Sequence, residues 1–418
     1  MTLPKKILGF LAAWTLPGVI AVGILVDLTV PSLWAWDAKR TVTLVPDPDF
    51  GKGVDWARLF ADYQGRGTYK DLVRTSDGRW IITDTRTYNF LFFDANGRFV
   101  KKLWDRGRRK KESLSIYGRP EWISLWKDRL FVSEVGVIRI FDLKGKEIRS
   151  AKVDHPVQCF EALDEKTVAV AGWVLRKDLP NLRFAAVVDL LTGKEIVVMD
   201  LSSKEMDEAE LRYSTEEGKK ITITLPFATV RPFVRRLPEG SFLAGFSNWP
   251  EIEIYDKAGG RIGDFILKTE RTALDRAIYE DIDRQIREQQ EERDKLLESQ
   301  GRSSDLGGTV FRRRFGAIVV SRRLPSYAPY YYNLNVDEHG NLRVFYFPKE
   351  GENPVLQAYS DEGELRDEIA VDPGDFRIVF SPGAQGPVFD GEFLYALAEK
   401  KEAKGVPLRF MKFRMAEK

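Results

Sequence analysis

The chain has 418 residues, of which 43% are hydrophobic and 12% aromatic, so it can build a large packed core and is not intrinsically disordered. Lys and Arg number 65 and Asp and Glu number 63, which gives a formal net charge of +2. This balance provides no overall field that would attract nucleic acid, so charge-driven binding requires a local patch.

The first element in the chain is an uncharged apolar run of twenty residues, Ile7–Val26. At helical rise this run just spans a bilayer core. It is longer than the apolar region of a secretory signal peptide, and no small-residue cleavage site follows, so we expect an uncleaved signal anchor that binds the membrane. Lys5 and Lys6 should stay cytoplasmic, although Lys39 and Arg40 weaken the charge asymmetry.

This orientation places everything after about Trp36 outside the cytoplasm, in the periplasm if the envelope is Gram-negative. We therefore expect a cytoplasmic stub and transmembrane segment over residues 1–36 and one folded domain over residues 37–418. Trp34 and Trp36 suit either an aromatic belt at the membrane interface or packing on the folded domain.

A short pattern recurs in the folded domain: a strand ending in an apolar residue, then a polar residue, then a glycine turn. The copies are Phe92–Gly97, Ile140–Gly145, Val188–Gly193, Tyr255–Gly259 and Tyr359–Gly363. Their polar anchors at positions 94, 142, 189, 256 and 360 differ by 48, 47, 67 and 104. The first two intervals match one four-stranded propeller blade, and insertions at Ser202–Thr229 and at about 271–326 explain the longer two.

A second recurring piece, a polar turn followed by an apolar strand, lies upstream of each anchor and once more near the C-terminus. Its copies are Asp77–Ile82, Asp128–Val132, Glu165–Val170, Glu239–Ala244, His339–Val344 and Asp390–Tyr395. Six copies predict an all-β, six-bladed β-propeller. The last strand, Leu408–Met415, needs an outer partner, and Thr41–Val45 could supply it and close the ring.

One repeat carries a family resemblance. Pro120–Ile123, Asp128–Ser133 and Val137–Asp142 with Gly145 resemble one NHL repeat. From about residue 41 to 418 the chain is similar to the NHL-like six-bladed propellers of bacterial envelope proteins. The resemblance implies the fold and says little about activity, because propellers host many unrelated functions.

The longer insertion predicts one charged amphipathic helix. Thr272–Gln300 contains no Gly or Pro, and an apolar residue recurs at every fourth position in its first half. These residues are Leu274, Ile278, Ile282 and Ile286. The stripe either lies across a propeller face or binds a partner, while the distal half should project into solvent or meet a partner.

Basic residues concentrate in two further segments. The first comprises Arg106, Arg108, Arg109, Lys110 and Lys111, and the second Arg312, Arg313, Arg314, Arg322 and Arg323. Outside the cytoplasm they could contact acidic lipid or glycan, or pair with the predicted helix. Solvated loops without a ligand are the alternative.

The cysteine and histidines indicate no cofactor. Cys159 is the sole cysteine, so no internal disulfide can form, and we expect a buried, inert thiol. His155 and His339 lie far apart and lack ligand spacing, which removes the usual zinc and general-base patterns. We expect both in loops between blades.

Two classes of function remain. We favour a protein-binding or scaffold subunit of an envelope complex, because the chain has a membrane anchor, a rigid repeat and no catalytic motif. Its contacts would be the helix stripe and the first basic segment. We expect no role in binding nucleic acid. The alternative is a calcium-dependent hydrolase or lactonase with its site in the central channel. Asp84, Glu134 and Asn248 lie near inner-strand ends but match no family motif.

Overall fold

The computed structural model describes the chain except for residues 1–39, 61–68, 85–88, 104–121, 135, 175–181, 203–209, 215–219, 225–230, 270–317, 324–326, 328–329, 332, 338, 347–354, 380–385, 402–407 and 418. The predicted transmembrane segment Ile7–Val26 and the predicted helix Thr272–Gln300 lie outside the described residues. The described residues belong to one compact unit, Lys39–Lys418. In the part of the chain that is described, no helix has the length and apolar character needed to cross a membrane.

Four separate sheets each contain four antiparallel strands in chain order. The first sheet comprises β2 (Tyr69–Arg74), β3 (Trp80–Asp84), β4 (Asn89–Phe93) and β5 (Phe99–Leu103). The second comprises β6 (Trp122–Trp126), β7 (Arg129–Glu134), β8 (Val137–Asp142) and β9 (Glu147–Lys152). The third comprises β10 (Val157–Ala162), β11 (Thr167–Val174), β12 (Leu182–Asp189) and β13 (Glu195–Ser202). The fourth comprises β16 (Pro232–Arg236), β17 (Phe242–Phe246), β18 (Glu251–Tyr255) and β19 (Arg261–Ile266). A short helix, α1 (Trp56–Leu59), precedes β2.

A nine-stranded sheet combines the C-terminal strands with the first strand of the chain. One half contains β21 (Asn333–Val336), β22 (Leu342–Phe345), β23 (Val355–Tyr359) and β24 (Leu365–Asp372). The other contains β25 (Phe376–Ile378), β26 (Val388–Asp390), β27 (Phe393–Lys400), β28 (Arg409–Glu417) and β1 (Arg40–Pro46). The halves are joined by a parallel pair, β1 with β24, in the register Arg40↔Ile369 to Thr43↔Asp372.

The N-terminal strand also pairs with the C-terminal strand. β1 runs antiparallel to β28, with Leu44 opposite Met415 and Val45 opposite Arg414. The prediction that Thr41–Val45 supplies the outer partner of the last strand is therefore confirmed. This pairing covers both edges of β1, because its other edge faces β24.

Burial within a sheet falls from the inner strands to the outer strand. In the second sheet, β6 is buried at every position but the last, whereas β9 is exposed at nearly every position. This gradient is expected for propeller blades, whose early strands surround the centre while their last strand forms the rim.

Successive sheets pack face to face through apolar side chains. One core cluster joins Ile81 and Phe92 of the first sheet to Ile123 and Val132 of the second. Another joins the first sheet to the last strands of the chain, where Trp80 lies 4.3 Å from Tyr395 between ring centroids. Further clusters join the second sheet to the third, and the third and fourth sheets to β21 and β22. The sheets therefore pack in a cycle, and the fold is an all-β propeller.

The recurring sequence anchor is the turn between the third and fourth strands of a sheet. In the turn after β4, Oδ1 of Asp94 accepts hydrogen bonds from the backbone N–H groups of Asn96 and Arg98, at 2.9 and 2.8 Å. Asp256 makes the same two contacts after β18, both at 2.8 Å. The side chain thus substitutes for backbone pairing in the turn, which explains the polar anchor followed by glycine.

The two predicted insertions contain strands that pair with each other. β14 (Glu210–Ser214) and β15 (Lys220–Thr224) lie in the first insertion, and β20 (Ile318–Arg323) lies in the second. They form a three-stranded antiparallel sheet in the order β15-β14-β20. The insertion predicted at Ser202–Thr229 therefore contains two strands, which its sequence was not predicted to form. The overall composition of this segment is rich in Glu and Lys, which obscures the alternation of residue types that is typical of strands.

Candidate functional site

Polar and charged side chains are buried on the first strands of the sheets, which surround the centre of a propeller. We call the following set the axial belt: Asp71, Ser124, Glu161, Arg235, Asn333 and Asn335. Each of these residues is at most 6% exposed. Burying such groups costs free energy unless they are paired, so their contacts decide what the belt does.

Asp71 joins β2 to β6. Its Oδ2 atom accepts a 2.9 Å hydrogen bond from the backbone N–H of Ile123, and its Oδ1 atom accepts one of 3.1 Å from the N–H of Leu72. The backbone N–H of Asp71 donates to Oγ1 of Thr83 on β3 at 2.9 Å. The carboxylate therefore links two sheets whose backbones do not pair.

Ser124 and Glu161 form the link from β6 to β10. Oγ of Ser124 donates to Oε2 of Glu161 at 2.9 Å and accepts from the backbone N–H of Ala162 at 3.0 Å. Burial raises the pKa of Glu161, while attraction to Arg235 and Arg236 opposes the rise. The protein thus holds this carboxyl group where its charged form is disfavoured.

Arg235 on β16 contacts the first strands on both sides. Its Nε atom donates to the carbonyl oxygen of Leu334 at 2.6 Å, and Nη2 donates to Oδ1 of Asn333 at 3.3 Å. On the other side, Nη1 lies 2.9 Å from Sγ of Cys159 on β10 and also donates to the carbonyl oxygen of Val234 at 2.8 Å. One guanidinium group therefore ties β10, β16 and β21 together.

The charges of the belt are balanced by a second arginine. Nη1 of Arg236 donates to the carbonyl oxygens of Leu125 and Ala162, at 2.9 and 2.8 Å. Burial acts to lower the pKa of Arg235, but nearby Cys159, Glu161 and Asp71 outweigh it and the pKa is raised. The guanidinium stays charged beside two acidic side chains.

The remaining links lead from β21 back to β2. Nδ2 of Asn333 donates to the carbonyl oxygen of Gly386 at 3.0 Å, and Nδ2 of Asn335 donates to that of Pro387 at 2.8 Å. Both acceptors directly precede β26. Arg74 at the end of β2 forms an ion pair with Asp390 at the end of β26. Hydrogen bonds and ion pairs thus connect the first strands in sequence.

This geometry is suited to holding strands together. The charged groups of the belt form hydrogen bonds with backbone groups of neighbouring strands or with polar side chains such as those of Ser124 and Asn333. A general acid or a nucleophile would instead need a polar atom directed toward a substrate position.

A few buried polar atoms have no hydrogen-bond partner among the described residues. They include Oδ1 of Asn248, Oδ1 of Asn335 and the hydroxyl of Tyr331. Burial raises the pKa of Tyr331 well above its ordinary value. Asn248 and Tyr331 belong to adjoining segments, because the backbone N–H of Tyr330 donates to the carbonyl oxygen of Ser247 at 2.7 Å. Two of these three atoms therefore lie on chain segments that contact each other through the backbone.

The structure describes the side chains of two of the three candidate calcium ligands, Glu134 and Asn248. Glu134 ends β7 and forms an ion pair with Arg139, with Oε2 and Nε 3.4 Å apart. Asn248 is buried in the turn after β17. Asp84 ends β3, and its side chain lies outside the described part of the structure. Within the described ranges, no group of three or more His, Cys, Asp or Glu residues could hold a metal ion.

The cysteine and one histidine match their predicted locations. Cys159 is buried, as expected, and burial raises the pKa of its thiol. His155 lies in the loop between β9 and β10, with Nε2 3.6 Å from Oε1 of Glu195. The prediction for His339 is wrong, because it lies in the turn between β21 and β22 of one sheet. A polar turn residue was mistaken for an interblade loop.

The predicted partner contacts fall mostly outside the described residues. These are Leu274, Ile278, Ile282, Ile286, Arg106, Arg108, Arg109, Lys110 and Lys111, together with Arg312, Arg313 and Arg314. Arg322 and Arg323 are described as positions of β20, paired with Leu211 and Glu210 of β14. The alternative that the second basic segment is a solvated loop does not hold at these two positions, because they pair as part of a strand.

The axial belt was missed by sequence reasoning. A signal was present, because each belt residue interrupts an apolar run shortly before a recurring turn, as in Pro232–Arg236 before Glu239. Polar residues in such runs favour buried, paired positions over solvent-facing ones. Which residues pair with which depends on the closed ring.

No protein-family model and no curated protein matches the sequence. Among solved structures, a member of the DUF4221 family from Bacteroides vulgatus is 11% identical, with 91% of this chain and 98% of that chain covered and a TM-score of 0.46. The Cps50 (Swd1) β-propeller domain from Myceliophteria thermophila is 12% identical, with 84% and 97% covered and a TM-score of 0.35. The calcium-binding protein regucalcin from Agrobacterium tumefaciens is 7% identical, with 85% and 93% covered and a TM-score of 0.38. With similarities this low, the identification of the chain as a β-propeller depends on its sheet order and packing.

Proposed function

We propose that the chain is a membrane-anchored, extracytoplasmic scaffold subunit that presents a six-bladed, NHL-like propeller to another envelope protein and performs no catalysis. The observation that carries this proposal is the axial belt, whose charged groups form hydrogen bonds with neighbouring strands and with polar side chains of the belt. A belt of this kind stiffens the propeller and makes it a rigid support for binding.

The count of six blades is supported by the strands that begin them. The four separate sheets begin with β2, β6, β10 and β16. The two halves of the nine-stranded sheet then form the fifth and sixth blades, with β21 and β26 as their first strands. Side-chain contacts connect β21 to the segment before β26, and β26 to β2. In this arrangement β1 is the outer strand of the sixth blade.

The membrane anchor and the contact surfaces rest on the sequence. Ile7–Val26 is long enough to span a bilayer, and the charge of Lys5 and Lys6 keeps the N-terminus cytoplasmic. The contacts are Thr272–Gln300 and the basic segment Arg106–Lys111, which also fits acidic lipid or glycan.

The test compares three forms of the detergent-solubilised protein: the full chain, a variant lacking Thr272–Gln300, and a variant with glutamine at the five basic positions of Arg106–Lys111. We expect one envelope protein to co-purify with the full chain and to be lost from at least one variant. The purified pair should then form a complex of defined stoichiometry on size-exclusion chromatography. If all three forms recover the same proteins, or the purified pair fails to associate, the scaffold proposal is wrong.

A second candidate is the calcium-dependent hydrolase. The buried carboxamide oxygen of Asn248, which lacks a hydrogen-bond partner among the described residues, favours a ligand at this position. Calcium titration by calorimetry should then show binding that Asn248→Ala weakens at least tenfold, together with calcium-dependent cleavage of ester or lactone substrates. Calcium binding unaffected by Asn248→Ala would remove this candidate.

A further inference from the structure

At two interfaces between successive sheets, a turn glycine of one sheet lies against the outer strand of the sheet before it. A Cβ at Gly145 of the second sheet would lie 3.3 Å from Cδ1 of Leu103 on β5. A Cβ at Gly259 of the fourth sheet would lie 3.2 Å from Val198 and 3.3 Å from Ile196, both on β13. These glycines therefore mark an apolar contact at the outer edge of each interface.

The interface between the second and third sheets lacks this contact. A Cβ at Gly193, in the turn between β12 and β13, would meet no atom of the described chain within 4 Å. The position of β9 that corresponds to Leu103 of β5 is Ala151, because each pairs with the residue four positions before the polar turn anchor. A methyl group reaches less far than a leucine side chain. The outer edge of this interface must therefore be held by other contacts.

A titratable pair lies close to this glycine in the chain. Nε2 of His155, in the loop that leaves β9, is 3.6 Å from Oε1 of Glu195 at the start of β13. The imidazole ring also packs edge-on against Phe184 of β12, with ring centroids 5.2 Å apart. The side chains of His155 and Glu195 are 27% and 23% exposed, so water screens their interaction only in part. The pair thus connects the end of the second sheet to the outer strand of the third.

The charged groups around the pair determine how it responds to pH. Burial raises the pKa of Glu195, attraction to His155 lowers it, and repulsion from Asp154 raises it again. Arg183 on β12 donates from Nη1 to Oε1 of Gln158 at 3.4 Å, and it is not among the charges that act on Glu195. The carboxylate form of Glu195 is therefore stabilised beside a protonated His155 and disfavoured beside a neutral one.

We propose that His155 and Glu195 form a pH-sensitive switch that closes the outer edge of the interface between the second and third sheets. Histidine is the side chain that ordinarily changes charge between pH 5 and 8. In the mildly acidic range, the imidazolium attracts the carboxylate and holds the loop after β9 against β13. As pH rises this attraction is lost, so Glu195 and the turn at Gly193 move more freely into solvent. The switch operates whether or not an envelope protein binds.

Hydrogen exchange of the full-length, detergent-solubilised protein tests the switch, with each rate divided by the intrinsic rate at the same pH. Amides of Leu190–Ile196 should be about fivefold better protected at about pH 5.5 than at about pH 7.5. Amides of Lys257–Arg261, in the corresponding turn of the fourth sheet, should be equally protected at both pH values. Equal protection of Leu190–Ile196 at the two pH values would overturn the proposal.

Two variants identify the groups that respond to pH, and the second histidine provides a matched control. His155→Gln and Glu195→Gln each keep a polar side chain, and each should reduce the ratio of protection at the two pH values to less than about twofold. His339→Gln, in a turn of another sheet, should leave the ratio as it is in the natural protein. A ratio that persists in His155→Gln, or that disappears in His339→Gln, would show that the proposal is wrong.

Discussion

Nη1 of Arg235 lies 2.9 Å from Sγ of Cys159, across the gap between the third and fourth sheets. Sulfur is a weak hydrogen-bond acceptor, so this contact alone does not explain why a guanidinium is buried there. Cys159, Glu161 and Asp71 together act to raise the pKa of Arg235 against the effect of burial, so the two carboxyl groups help to keep the guanidinium charged. The cation and the two acids are best understood as one buried network.

Replacing Arg235 by an uncharged residue should therefore destabilise the folded state. We expect Arg235→Met to reduce the free energy of unfolding by about 3–5 kcal/mol, because it leaves buried acidic groups without their partner. Arg149→Met on the exposed strand β9 is the matched control, with an expected change within about 0.5 kcal/mol. Urea denaturation measures both. Adding Glu161→Gln to Arg235→Met should recover part of the loss, and an Arg235→Met effect no larger than that of the control would contradict the network.

Glu161 should make stability depend on pH. Burial raises its pKa from an ordinary value of 4.5, so the folded state holds this proton more tightly than the unfolded state does. The contribution of Glu161 to the free energy of unfolding therefore falls as pH rises from the unfolded-state pKa through the folded-state pKa. Glu161→Gln cannot ionise and should lack this decline.

The measurement is the stability of Glu161→Gln minus that of the natural protein, determined by urea denaturation at several pH values from about 4 to 8. We expect this difference to become more favourable to the variant as pH rises. A difference that stays constant, or that falls with pH, would show that ionisation of Glu161 is not disfavoured in the folded state.

The blades could be predicted because their signals are local. Asp94 and Asp256 each bind backbone groups within four residues, so the turn is recognisable in any copy. The belt is different. Asp71 contacts a residue 52 positions away and Arg235 one 99 positions away. Such pairs are set by ring closure, and one sequence shows only that polar residues interrupt apolar strands.

The inserted sheet shows how composition can hide a local pattern. Lys220–Thr224 alternates polar and β-branched residues, which is typical of a strand. Its surroundings are rich in Glu and Lys, so the sequence indicates an insertion here but not its strands. Ile318–Arg323 was likewise included in a helical insertion. Pairing between the two insertions requires the fourth sheet to fold between them.

Replacing a turn glycine by alanine should reduce the free energy of unfolding by an amount that depends on the atoms beside that glycine. Gly193 and Gly363 lie in the turns after β12 and β23, four and three residues after the polar anchors Asp189 and Ser360, with φ of 71° and 79°. A Cβ at Gly193 would meet no atom within 4 Å, whereas one at Gly363 would lie 2.4 Å from Cβ and Cγ of Phe265. We expect Gly193→Ala to cost about 1–2 kcal/mol for the left-handed backbone. Gly363→Ala should cost about 1–3 kcal/mol more through overpacking. Equal urea midpoints for the two variants would show that contact with Phe265 does not constrain this turn.

If β1 closes the propeller, substitutions of the adjacent residues Leu44 and Val45 should have different effects on the free energy of unfolding. Leu44 on β1 is 2% exposed and belongs to a core cluster with Phe413 of β28, whereas the next residue, Val45, is 39% exposed. If β1 completes the last sheet, Leu44→Ala leaves a cavity and should reduce the free energy of unfolding by about 2–5 kcal/mol. Val45→Ala should change it by less than about 1 kcal/mol, because little of the side chain is buried.

Hydrogen exchange then separates loss of closure from general destabilisation. In Leu44→Ala, amides of β28 and β24 should exchange faster, because both strands pair with β1. Amides of β11 and β12 should keep their protection at low denaturant, since they lie in another sheet. Similar small effects of Leu44→Ala and Val45→Ala would mean that β1 does not hold the first and last parts of the chain together.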